Sequence, residues 1–114
     1  MWGICLDAEF LSADLLQNLF QRVVEYEVDA NDGKAVILAP QCGIRTDLKN
    51  IKKLKNPPRF RYGERVVTRG EREYTGTIAI MQWHFNRGEI IYKIKTDNGK
   101  IKSKRYFESD LNKL

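Results

Sequence analysis

Ile90-Ile91-Tyr92-Lys93-Ile94-Lys95-Thr96, Asp97-Asn98-Gly99, Lys100-Ile101-Lys102-Ser103-Lys104-Arg105-Tyr106-Phe107 is the stretch on which the fold turns. Apolar and basic residues alternate on both sides of a turn string, which predicts a β-hairpin, because asparagine and glycine tolerate the positive φ of a tight turn. With Asn98-Gly99 as a two-residue turn, Lys95 lies opposite Lys102 and Lys93 opposite Lys104. All four then share one face, while Tyr92, Ile94, Ile101 and Ser103 point the other way. A four-residue loop keeps the same faces. Like charges set directly opposite each other cost a sheet about a few tenths of a kcal/mol per pair, so such a face calls for an anionic companion.

Working outward, Gly76 to Trp83 reads as the preceding strand, joined to Ile90 by a turn at Asn86-Arg87-Gly88. A polar loop, Thr68 to Thr75, separates it from a strand over Phe60 to Val67 that Gly63 interrupts. Glu108 to Leu111 predicts a single helical turn. The order formed by Tyr62, Gly63 and Val66, then Gly76, Thr77, Ile78 and Ile80, then Tyr92 and Ile94, then Tyr106, Phe107 and Leu111 resembles the small SH3-like β-barrels, which include Tudor and KOW modules. The likeness covers residues 58–113 and rests on corner and core positions. It implies a binding module for peptides, partner proteins or nucleic acids and does not choose among them.

Asn56-Pro57-Pro58 stops any helix, since proline lacks a donor and biases its predecessor to an extended conformation. It divides a first subdomain, residues 1–56, from the barrel, residues 57–114. In the first part Ser12 is an N-cap for a helix whose Leu16, Leu19, Phe20 and Val23 make an apolar stripe. Glu25 to Asp29 and Ala35 to Leu38 flank Asn31-Asp32-Gly33 as a hairpin, closed by Pro40 and Gly43. Thr46-Asp47 predicts a short helical segment with Leu48, Ile51 and Leu54 inward and Lys49, Lys52 and Lys53 outward. The expected fold class is therefore α+β: an N-terminal helix plus β-hairpin packed with a C-terminal SH3-like β-barrel. Tyr26 to Gly33-Lys34 and Tyr92 to Gly99-Lys100 share one spacing, which two favourable hairpin turns explain better than a duplication.

The chain has 114 residues, 42% of them hydrophobic and 31% charged, and a formal net charge of +5. That composition excludes a disordered or membrane-spanning chain, and Met1 to Leu6 is too short an apolar run for a signal peptide. The charge is uneven: residues 1–54 carry six basic against eight acidic side chains, and residues 55–114 fourteen against seven. Cys5 and Cys42 form no CxxC, which fits a reducing, cytoplasmic setting. Neither Cys42 with the single His84 nor any carboxylate set reads as catalytic or metal-binding, and GxGxxG, P-loop and HExxH strings do not occur. A non-enzyme without cofactor or metal is expected.

The expected binding residues are Lys93, Lys95, Lys102, Lys104 and Arg105, with the aromatic side chains Tyr74, Trp83, Phe85 and Tyr106. An acidic partner protein fits this basic and aromatic surface; so does a nucleic-acid backbone, with lysines neutralising phosphates and rings stacking on bases. Glu25, Glu27 and Asp29 fall on one face of the first hairpin and offer an internal neutraliser, and self-association stays open. Trp83 and Phe85, on one side of a strand end, either seal the barrel or form a platform. A methyl-lysine cage would use several rings around a cation. Acidic-partner and nucleic-acid binding are the two readings carried forward.

Overall fold

The computed structural model describes residues 1–6 and 21–114. The chain divides into two compact units, Met1–Pro57 and Pro58–Leu114.

Unit 1 is a five-stranded antiparallel sheet built from β1 (Trp2–Cys5), β2 (Val23–Val28), β3 (Ala35–Ala39), β4 (Ile44–Thr46) and β5 (Ile51–Lys53), in the order β4-β3-β2-β1-β5. One face gathers Cys5, Val24, Tyr26, Ala35, Ile37 and Ile51 into a buried cluster edged by Ile44. The register explains the grouping: Tyr26 stands opposite Ile37, Ile37 opposite Ile44, and Cys5 opposite Ile51, so period-two alternation sends them all to one side. Gly3 allows this packing, because a Cβ there would come 2.4 Å from Ile51 Cγ2.

Unit 2 is a four-stranded antiparallel sheet of β6 (Arg65–Thr68), β7 (Thr75–His84), β8 (Glu89–Thr96) and β9 (Leu111–Lys113), ordered β8-β7-β6-β9. A one-residue slip at Ala79 lets Ile78 face Ile94 and Met81 face Tyr92 on the same inward side. Phe60, Val66, Ile78, Met81, Tyr92, Ile94, Tyr106 and Leu111 are buried, and Phe60 meets Tyr92 edge-on at 5.4 Å between ring centroids. Emptying such a site by Phe60→Ala costs about 3–5 kcal/mol. A 3-10 turn over Glu108–Asp110 brings the chain back so that β9 pairs with β6.

The α+β expectation is overturned: the described chain is β throughout apart from two three-residue 3-10 turns. The N-terminal helix expected after Ser12 falls on residues 7–20, outside the described residues, except for its last apolar position, Val23, which is a strand residue in β2. The second expected helical segment is a 3-10 turn, Leu48–Asn50, followed by β5. Leu48 is 42% exposed instead of inward. The Asp47 side chain makes no capping bond, and a helix of two turns is marginal by itself. Pairing with β1, Cys5 opposite Ile51 and Gly3 opposite Lys53, satisfies the backbone instead. The strand expected over Phe60 to Val67 begins only at Arg65, since Gly63 takes φ 79° and breaks the extended run.

The hairpin after β8 also departs from expectation. Thr96 N–H donates to Lys100 O at 2.9 Å and Gly99 N–H to Thr96 O at 2.9 Å, so the loop holds three residues, Asp97 to Gly99, with Gly99 at φ 86°. A loop with one more residue than a two-residue turn shifts the register by one and reverses every face of the returning chain. Lys95 stands opposite Ile101, and Tyr92 opposite Tyr106. Two residues lie between these partners on β8 and four on the return, so the chain swings out of the ladder between the two bridges.

Candidate functional site

Beside this swing lies a cleft that gathers cations and rings. Thr68, Arg69, Gly70, Glu71, Arg72 and Tyr74 form one wall of this cleft of about 530 Å³; Lys102, Ser103, Lys104 and Tyr106 form the other. The first wall is the β6–β7 loop, and it is fastened by Thr68, which is 3% exposed. Thr68 Oγ1 accepts the Tyr74 N–H at 2.9 Å and donates to Arg72 O at 3.4 Å. The Arg69 backbone N–H donates to Asp110 O at 2.8 Å, and its guanidinium donates to Asn112 Oδ1 at 2.8 Å.

Cations and rings alternate around the cleft. Lys102 Nζ lies 3.1 Å from the Tyr74 ring centroid, and Lys104 Nζ lies 5.3 Å from that of Tyr106. A hydrogen bond from Arg72 and the nearby Lys102 charge hold the Tyr74 phenol below its ordinary range. Burial, with smaller contributions from Tyr74 and Asp110, raises that of Tyr106. Arg69, Arg72, Lys102 and Lys104 outnumber the single lining carboxylate, Glu71, by three formal charges. Among the described residues none of the four is ion-paired, whereas Arg45, Arg65 and Arg87 each hold a carboxylate within 2.9–3.0 Å or closer.

The expected single lysine face is therefore corrected. Lys102 and Lys104 enter the cleft with Tyr74 and Tyr106. Lys93 and Lys95 alternate with the inward Tyr92 and Ile94 along β8 and point to the other side, where they face Ile80 and Thr77 across the strand pair. Ile101, expected inward, shares that outer side opposite Lys95 and is 51% exposed. Arg105 is exposed on the return segment and does not line the cleft. Trp83 is half-buried opposite Ile90 near the end of β7, while Phe85 lies beyond the strand in the β7–β8 turn, 52% exposed. Trp83 and Phe85 do not line the cleft. At that turn His84 Nδ1 accepts the Arg87 N–H at 3.2 Å, and Arg87 sits 3.9 Å over the Phe107 ring. Asp29, expected as a neutraliser of the lysines, is bonded to Arg45 in its own unit.

Sequence reading missed Arg69 and Arg72. Their signal lay in the Arg69-Gly70-Glu71-Arg72 string of a loop read only as polar. Among the described residues no group of histidine, cysteine and carboxylate side chains has the arrangement of a metal site. Cys5 is buried and Cys42 exposed, and neither is in a disulfide. No helix among the described residues is long and apolar enough to cross a membrane.

Fold and cleft together define unit 2 as a small antiparallel β unit with a cation-lined, tyrosine-walled cleft. The chain belongs to DUF6960, a family of unknown function that it matches over residues 18–112. No curated protein and no solved structure matches it.

Proposed function

We propose that the chain is a non-enzymatic interaction module whose second unit captures an acidic segment of a partner protein in the cleft between the β6–β7 loop and the return segment. The observation that carries this reading is that four cations, none of them ion-paired among the described residues, gather at one cleft with a single carboxylate. A concentration of one charge sign in a concave site attracts the opposite sign and speeds its encounter. A cationic guest such as methyl-lysine is disfavoured, because the protein's own lysines already stand over both rings.

Nucleic acid is the second reading, and the outer Lys93 and Lys95 add positive surface in its favour. Base stacking, however, requires open ring faces. Lys102 stands over one face of Tyr74, which is 37% exposed, and Tyr106 is only 3% exposed. The order of elements supports kinship with SH3-like barrels: a three-strand meander, a return segment, a 3-10 turn, and a last strand paired with the first. Two cysteines outside any disulfide suit a reducing, cytoplasmic setting.

The test is binding of the purified chain to a polyglutamate peptide and to single-stranded oligonucleotides at low salt. Arg72→Glu with Lys102→Glu is expected to weaken peptide binding at least about tenfold, and Lys93→Glu with Lys95→Glu by no more than about twofold. Tight oligonucleotide binding that the outer pair of substitutions abolishes instead would transfer the function to nucleic acid.

A further inference from the structure

On the binding-module reading, we infer that the cleft recognises a phosphorylated side chain carried by the partner protein's acidic segment. The first ground is charge density. A cleft of about 530 Å³ holds an excess of three positive charges. Carboxylates would have to enter it in threes to balance that excess, each repelling the next. A phosphomonoester brings about −1.5 to −2 charges and three terminal oxygens on one group.

The second ground is the kind of donor and where it is held. Arg69 and Arg72 come from one wall, Lys102 and Lys104 from the other, so an anion between the walls meets guanidinium forks on one side and ammonium groups on the other. Guanidinium matches phosphate oxygens two at a time, and ammonium supplies a compact charge. Arg69 is held from behind by Asn112 and by the Asp110 carbonyl. Lys102 is held over Tyr74. Donors already held in place lose less freedom when the ligand arrives. The third ground is that Tyr106 is buried and Lys102 stands over one face of Tyr74, which limits the stacking contacts a nucleic acid adds to its phosphates and favours a phosphate borne by a protein chain.

The experiment uses the full chain and three fluorescent peptides, each with about six glutamates around a central position occupied by serine, phosphoserine or glutamate, with a single-stranded RNA oligonucleotide as competitor. The phosphoserine peptide is expected to bind at least about tenfold tighter than the serine peptide, with the glutamate peptide close to the latter. Arg72→Gln and Lys102→Gln, both surface changes whose folding is checked by thermal melting, are expected to bring that ratio near one, and Lys93→Gln to leave it unchanged. Three peptides binding within about twofold of each other would overturn phosphate recognition while the acidic-segment reading stands. Absence of binding by all three would overturn both. RNA displacing the phosphopeptide at a lower concentration than the phosphopeptide itself would assign the site to nucleic acid.

Discussion

Two hairpins in this molecule share a string and close differently. Tyr26 to Gly33-Lys34 and Tyr92 to Gly99-Lys100 have the same spacing, and both glycines take a positive φ, 73° and 86°. In the first, Asp29 N–H donates to Lys34 O, so the loop spans four residues, Ala30 to Gly33. In the second, Thr96 closes on Lys100 over three. An even loop preserves the faces that simple alternation assigns, and an odd one reverses them. The charges follow the same division. Arg45 binds both Asp29 and Asp32 at the first turn, whereas the second turn leaves Lys102 to meet Tyr74 in a cleft with no carboxylate bound to it. One residue of loop length separates a turn that keeps the faces alternation assigns from one that turns Lys102 into the cleft.

The strongest way to break this comparison is to delete Asp97, which leaves the two-residue turn that the string suggests. The returning chain then reverses its faces, Lys102 leaves Tyr74, and the bonds from Asp97 to Arg65 and Thr75 are lost. The expected result is a drop in the urea midpoint larger than any below, together with loss of peptide binding. An unchanged chemical-shift signature at Tyr74 would show that loop length does not set the register.

Next in size are Gly33→Ala and Gly99→Ala. Both positions are open to a Cβ, so the cost is backbone strain alone, about 1–2 kcal/mol each. Similar losses in the two, read from urea melts, would show that the turns share a conformational need although they differ in register.

The matched tyrosines give a smaller contrast. Tyr92 O–H donates to Glu108 Oε1 at 3.0 Å, an acceptor that also takes the Arg59 N–H at 3.2 Å. Tyr92→Phe is expected to cost about 1–2 kcal/mol, and Tyr26→Phe less. Burial first, and then Glu108, raise the Tyr92 phenol above its ordinary 10.0. Its contribution is therefore complete below that pH and declines as the pH rises further. Tyr92→Phe should flatten the alkaline limb of a melting-temperature profile.

The smallest effect concerns the turn aspartates. Asp29 is held below its ordinary 3.8 by the Asn31 N–H and Arg45, Asp32 by the Lys34 N–H and Arg45, and Asp97 by Arg65 and Thr75. A depressed carboxylate stabilises the fold above its unfolded value, and that stabilisation is lost as the pH falls through the folded one. A modest fall in melting temperature below pH 3.8 is expected, shallower in Asp29→Asn and in Asp97→Asn.

Much of unit 2 was legible because its strands obey a period of two and its turns carry glycine. Val66, Ile78, Tyr92, Ile94 and Leu111 were read as barrel positions and are buried. What alternation does not encode is register. Asp97-Asn98-Gly99 serves a two- or a three-residue loop equally well, and the choice depends on Arg65 and Thr75, which reach Asp97 from other strands. Lys102 and Lys104, Tyr74 and Tyr106 were read as binding residues and line the cleft, but for a face that does not form. In unit 1, apolar spacing at Leu48, Ile51 and Leu54 suits a helix as well as a strand in so short a run, and the β1 backbone decides between them.

Thr68 holds the first wall of the cleft through main-chain atoms of Arg72 and Tyr74. No side chain between Arg69 and Glu73 takes part in that clamp. The wall therefore works as a socket with exchangeable fittings: replacing Glu71 or Arg72 changes the charge of the cleft without touching the Thr68 clamp, whereas Arg69 also ties the loop to Asn112. A designer seeking to recharge the cleft would vary Glu71 and Arg72 and leave the threonine alone.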